Sequence, residues 1–242
     1  MFTPIGFFAA VDSGPPIITD SLEQWMDVTA AGGSESTALT DASGNGRNLT
    51  NNGLTWDATN NWFYLSSNTD WQNHIDTGYR LSNFGDSNSW SIEMWVRAQD
   101  ISPNDAGLYG NRTTTYSNNY IVMAMRDELD FGCALSDDVG NEAGSLNGPT
   151  VYDDEWVLMN LGVDGSTNTG YIRGNGVQEA SFSTSTIQTI NRNEPIHLVG
   201  PYLNSGKYFI DAQFGSYRIY SKFLSDEECL NNYNADKAHF GL

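Results

Sequence analysis

The stretch "SWSIEMWVRAQ", residues 89–99, decides the fold class. Successive side chains of an extended chain point to opposite sides, so Trp90, Ile92, Met94 and Val96 share one face and Ser91, Glu93, Trp95 and Arg97 the other. A period of two with a continuous apolar face is the mark of a strand against a core. The second face is amphipathic, and Trp95 on it suits a covered core contact in preference to a partly covered groove.

Working outward, similar short segments recur along the chain. Strands are expected at 22–27, 62–65, 75–79, 120–125, 128–135, 156–163, 169–172, 195–200 and 215–220, with a surface loop over 136–150. Twenty-four glycines and only 17% charged residues suit many turns between short strands and argue against a helical bundle. Two antiparallel sheets packed face to face bury so many alternating segments most economically. Only one helix announces itself. Ser225 can cap it, Glu228 can close a capping box, and Leu224 and Cys229 occupy the staple positions. The helix is expected to reach Asn234, with Cys229, Leu230 and Tyr233 sealing the sandwich.

A second informative stretch is "TDASGNGRNLTNNG", residues 40–53. It lacks the third glycine, the Lys-Ser/Thr pair and the following long helix that a phosphate loop needs. It reads as a tight corner: Asp41 and Ser43 accept backbone N–H groups, Gly44 and Gly46 take positive φ, and Arg47 pairs with an acid.

The 242 residues are expected to divide into an N-terminal arm, 1–19, and one sandwich domain, 20–242. The arm carries Phe2, Ile5, Phe7, Phe8 and Val11, too many apolar side chains to leave in water. It either folds back on its own domain or docks on another subunit. It has neither the basic start of a signal peptide nor the length of a membrane span. Eleven basic residues against thirty acidic ones give a formal charge of -19, which excludes nucleic acid as a natural partner. Cys133 and Cys229 are read as two buried thiols in preference to one bridge, and no C-x-x-C pair suggests zinc.

In order along the chain, Asp41 to Gly46, Trp56, Ser91 to Val96, Trp156-Val157 with Asp164-Gly165, Tyr171 to Gly174, and Tyr217 to Tyr220 followed by Leu224 to Glu228 resemble the laminin-G-like branch of the concanavalin A-like lectin/glucanase superfamily. The resemblance covers about residues 22–235. It implies an all-β, concanavalin A-like jelly-roll sandwich of two antiparallel sheets with a short C-terminal helix. It also implies a carbohydrate-binding or adhesion module, a type that occurs in bacteriophage particles. The family often has Asp-Gly where this chain has Arg173-Gly174.

The chemistry is then weighed residue by residue. Glycosidases of related sandwiches carry Glu-x-Asp followed by a second glutamate. Here Glu128-Leu-Asp130 begins the pattern and Phe131 to Ala134 do not complete it, so no enzyme is expected. His74, His197 and His239 are scattered, and His197 alternates out of a strand as a structural residue would. Calcium is the ion that Asp41, Asn45, Asp137, Asp138 and Asp164 would suit, against the alternative that each builds an ordinary Asx turn. Sugar binding would use Trp71, Tyr109, Tyr116 and Tyr152 as platforms with Arg112 and Asn118 as polar neighbours. The reading is therefore a non-catalytic structural or adhesion module of a virion, a capsid decoration or a tail or fibre component. Its partners would be other virion proteins or a second copy through the arm, with cell-surface glycans as further ligands. A self-standing lectin-like module and a glycoside hydrolase are the alternatives.

Overall fold

In the computed structural model, residues 14–65, 73–80, 89–99, 106–111, 120–126, 130–145, 154–187, 190, 195–199 and 211–242 are described. The arm residues Phe2, Ile5, Phe7, Phe8 and Val11 lie outside them. The stretch quoted first forms the strand β6 (Trp90–Gln99), and it is the spine of an eight-stranded sheet. That sheet also contains β1 (Leu22–Met26), β3 (Thr55–Asp57), β4 (Trp62–Leu65), β11 (Trp156–Asp164), β12 (Thr169–Gly174), β13 (Val177–Ser183) and β15 (Asp211–Tyr220). Its order is β13-β12-β11-β6-β15-β4-β3. The long β15 pairs with β4 through Ala212–Phe214 and with β1 through its other end, and a register shift between Phe214 and Tyr217 separates the two.

The facing sheet has seven strands in the order β10-β9-β8-β7-β14-β5-β2. These are β2 (Thr50–Asn52), β5 (His74–Arg80), β7 (Ala106–Gly110), β8 (Tyr120–Arg126), β9 (Asp130–Ser136), β10 (Glu142–Ser145) and β14 (Pro195–Leu198). Among the described residues every pairing in both sheets is antiparallel. Between the sheets, Ile92, Met94 and Val96 from β6 and Leu161 from β11 share one core with Ile75, Ile121, Met123, Phe131 and Ile196. Gln24 ties the layers together from inside: its Nε2 donates to the carbonyls of Arg47 and Thr77, each at 2.6 Å.

The second face of β6 is covered, as expected from Trp95. A short helix α1 (Glu35–Ala38) caps the first connection. The C-terminal helix α2 (Asp226–Asp236) begins with the expected capping box, Ser225 accepting from the Glu228 N–H while the Glu228 side chain accepts from the Ser225 N–H. It lies across the outside of the eight-stranded sheet. Trp95, wholly buried, stacks against Tyr233 at 5.7 Å and Phe240 at 4.3 Å between ring centroids, and its Nε1 donates to Asp236. The stripe that seals the sandwich is Cys229, Asn232, Tyr233 and Asp236, whereas Leu230 points outward and is 44% exposed. Residues 14–18 run beside this helix: Asn231 Nδ2 donates to the Pro16 carbonyl and the Ile18 N–H donates to Asn232 Oδ1. Both cysteines are free and buried. Among the described residues no helix is long and apolar enough to cross a membrane.

The corner at 40–53 does what its residues dictate. One Asp41 carboxylate accepts the N–H groups of Trp25, Ser43 and Arg47 at 2.9–3.0 Å. Gly44 and Gly46 sit at φ of 86° and 72°, and Arg47 pairs with Glu23 at 2.7 Å. The corner thus aims the chain into β2 at the edge of the seven-stranded sheet. Asp41→Ala would orphan three donors and is expected to cost about 2 kcal/mol. Urea unfolding checks this, and a midpoint equal to that of the parent would refute the corner's role.

Candidate functional site

The outer face of the seven-stranded sheet is built by the residues that alternate with its core side chains. Ile75 and Tyr79 of β5 and Ile196 and Leu198 of β14 point inward, so His74, Asp76 and His197 point outward. Register aligns them. His197 stands opposite Asp76 on one side and Gly110 on the other, Asp76 opposite Thr50, and Asn52 opposite His74. The row continues through Val122 and Ala134 to Gly144, all small or apolar. Tyr120, Val122 and Ala124 form a separate buried cluster there, and Tyr120 donates its hydroxyl to Glu142 Oε1 at 2.9 Å.

At the β2 edge of this face the polar groups gather. The His74 and His197 rings lie 4.4 Å apart at 32°, and Asn52 Nδ2 is 3.2 Å from His74 Nε2. Asp76 Oδ1 accepts the Gly78 N–H at 2.8 Å, with Gly78 at a φ of 64° within β5. His74 and Asp76 are half-buried and Asn52 is exposed, whereas His197 is 5% exposed and its Nδ1 has no hydrogen-bond partner among the described residues. Burial, aided by the neighbouring His74, pushes the His197 imidazole down to about 4, and only Asp76 opposes it. An amide, a carboxylate and two imidazoles at one edge can donate to and accept from the hydroxyls of a bound molecule. Asp76 faces imidazoles and no second carboxylate, so the described cluster lacks the acid and nucleophile pair of a glycosidase.

The family model described as the concanavalin A-like lectin/glucanases superfamily, of laminin G type, matches residues 72–229. The chain belongs to this family. No curated protein matches it significantly. Solved structures similar to the laminin-G-like domain include the binding domain of Paraclostridial Mosquitocidal Protein 1, with a TM-score of 0.69 and 18% identity over 90% of this chain and 52% of that one. The botulinum neurotoxin serotype C1 binding domain follows at 0.68 and 15% identity, with the same two coverages. The binding domain of botulinum neurotoxin DC, solved in complex with SialylT, gives 0.65 and 15%, again over 90% and 52%. The chain therefore spans about half the length of these structures, and at such identities the likeness is one of fold.

Within the laminin-G-like domain the expected site residues separate. Asp41 and Asn45 share the corner, where Asp41 is occupied by three N–H groups and the Asn45 amide nitrogen donates to the carbonyls of Leu22 and Glu23. Asp137 is buried in the β9–β10 turn, accepting from the backbone of Val139 and from both backbone and side chain of Asn141, with Asp138 exposed beside it. Asp164 accepts from Ser166 and Thr167 in the β11–β12 turn, bonds that hold its carboxyl below the usual range. These aspartates build the turns they stand in. Among the described residues no three His, Cys, Asp or Glu side chains are grouped to hold a metal ion.

Tyr109 is a correction. Read as a loop platform, it belongs to β7 and is wholly buried in the core, with its hydroxyl held well above its ordinary range by that burial. A register shift between Gly107 and Tyr109 turns both Leu108 and Tyr109 inward, and the flanking glycines had made a strand look like a turn. Trp71, Arg112, Tyr116, Asn118, Tyr152 and Glu128 lie outside the described residues. The residues that sequence reasoning missed are Asn52, His74 and Asp76. His74 and His197 are far apart in the chain, and only the β5–β14 register brings them together.

Proposed function

We propose that this laminin-G-like domain is a non-catalytic carbohydrate-binding module whose ligand lies on the outer face of the seven-stranded sheet, at the Asn52–His74–Asp76 edge. The observation that carries the reading is the exposed amide and the half-buried imidazole and carboxylate converging beside a buried imidazole whose Nδ1 has no partner among the described residues. The similar folds are toxin binding domains, one of them solved with SialylT, which supports a binding role on this scaffold. The formal charge of -19 favours neutral saccharides over anionic ones.

A glycan array probed at neutral pH, with and without calcium, tests this. Saturable binding to neutral oligosaccharides is expected, and Asp76→Ala should weaken it about 10- to 100-fold, the loss of a hydrogen bond to a charged group. No saturable binding in either condition would end the reading.

A second reading makes residues 1–13 an assembly arm, for a larger particle or for self-association. It is supported by the apolar side chains of Phe2, Ile5, Phe7, Phe8 and Val11 and by the fastening of residues 14–18 along α2. Its bacteriophage setting rests on the sequence resemblance alone. Deleting residues 1–13 should leave the melting temperature of the domain unchanged while abolishing its association. A truncated chain that associates as the full one does would rule the arm out.

A further inference from the structure

We infer that the close His74–His197 ring pair is an acid-sensitive pin, holding the short edge formed by β2 and β5 against β14 while both rings are neutral and releasing that edge on acidification. The inference concerns regulation of the proposed ligand edge, and its bearing on binding rests on that reading.

β2 has three residues and β14 four, so few backbone hydrogen bonds hold this part of the sheet. Two imidazoles with centroids 4.4 Å apart, tilted by 32°, are in van der Waals contact when neutral and repel when both are charged. Asn52 presents its amide nitrogen, a donor, to His74 Nε2. That contact needs a lone pair on Nε2, so in the neutral ring this nitrogen is the acceptor. His197 is 5% exposed with Nδ1 unpartnered among the described residues, so a proton added there finds neither water nor an acceptor.

The charged and titratable groups around the pair decide the direction. From β5, Asp76 stands in register with His197, and Arg80 lies exposed farther along the same outer face. β2 contributes only Thr50 and Asn52, neither titratable. β7 contributes Gly110 opposite His197, with Tyr109 turned into the core. Among the described residues Asp76 is thus the single group that favours a charged His197, and desolvation outweighs it. In the unfolded chain the ring takes its proton near 6.5, and in the folded chain near 4. Between these values the unfolded or locally opened chain binds more protons. Stability of the edge is therefore full above about 6.5 and declines as the pH falls toward 4. Opening only the edge removes the penalty without unfolding the sandwich.

The test is an NMR titration of the ligand-free full chain from pH 8 to 4, following both imidazole rings and the amides of residues 50–52, 74–76 and 195–198. The His197 ring is expected to resist protonation far below its ordinary range, with the edge amides losing their native shifts in the same step and the β6 and β11 amides keeping theirs. His197→Gln should abolish the coupled step, and His74→Gln, which keeps the buried ring but removes its imidazole neighbour, should move the step to higher pH; the second, at a half-buried position, keeps the test available if the first fails to fold. A His197 ring that titrates near 6.5, or edge amides that stay native through its protonation, would overturn the pin. A silent glycan array with the coupled step present removes the binding reading and leaves the pin. Glycan binding with no coupled step removes the pin alone.

Discussion

Arg218→Ala is expected to lower the stability of the domain by about 3–5 kcal/mol, the loss typical of removing one partner from a buried charge network. Arg218 is wholly buried on the outer face of β15, beneath the ring of Trp25 at 5.3 Å. Its Nη2 donates to Asp236 of α2, and its Nη1 lies 3.8 Å from Glu93 Oε2. Asn232 of α2 donates to the same Glu93 oxygen at 2.8 Å. One guanidinium thus faces two carboxylates and takes the closer contact with Asp236. Burial outweighs its attraction for Glu93, whose carboxyl is pushed up to about 7. A carboxyl raised in the folded state contributes stability that is complete below about 4.5 and is lost as the pH rises through 7. This slope is opposite in sign to that of His197, so the parent's pH profile partly cancels and single variants must be compared. Without Arg218 the Glu93 carboxyl is driven further toward its neutral form, so the deficit should shrink as the pH falls from 8 to 5. For a domain of this size the loss corresponds to a melting temperature lower by about 6–20 °C at neutral pH. A variant that melts within a degree or two of the parent, or whose deficit grows on acidification, would show that the charges do not hold α2 down.

Trp95→Ala should cost a similar amount, about 3–5 kcal/mol, by a different route. The indole fills the space between β6 and the C-terminal segment, against Tyr233 and Phe240. Gly215 marks how tight that space is, since a Cβ there would come within 2.6 Å of the Phe240 ring. Truncation leaves a cavity that rigid strands cannot close, and removes the Nε1 donor to Asp236. Chemical denaturation with tryptophan fluorescence and helix-signal circular dichroism read together would report it. The expected result is a large fall in the midpoint for both signals. A loss below about 1 kcal/mol would mean that α2 is a loose appendage and that its aromatic seal is not part of the core.

Much of this was readable from particular residues. The alternation in β6 named both of its faces, and Trp95 announced the covering that α2 supplies. The capping box placed the start of α2, and Asp41 with Gly44 and Gly46 placed the corner, because these are local requirements of backbone hydrogen bonding and positive φ. Strands held by backbone pairing alone left no such mark. β10, with sequence EAGS, has no apolar face and falls where a loop was expected, and β2, with TNN, is equally silent. The hairpin between β12 and β13 turns at Asn175-Gly176, both at positive φ, one step beyond the Arg173-Gly174 pair that the family pattern singles out. Arg173 is instead buried and paired with Asp226 at 2.8 Å, so its side chain serves the α2 junction. The candidate site was the least legible part. Asn52, His74, Asp76 and His197 come from three strands, and nothing local to any of them records the register that joins them.

The most direct measurement of the central proposal is chemical-shift mapping of a bound neutral oligosaccharide on the full chain at neutral pH. Saturable perturbations centred on residues 50–52, 74–76 and 197 are expected, reduced in Asp76→Ala. Perturbations confined to other parts of the domain, or none at saturating saccharide, would contradict it.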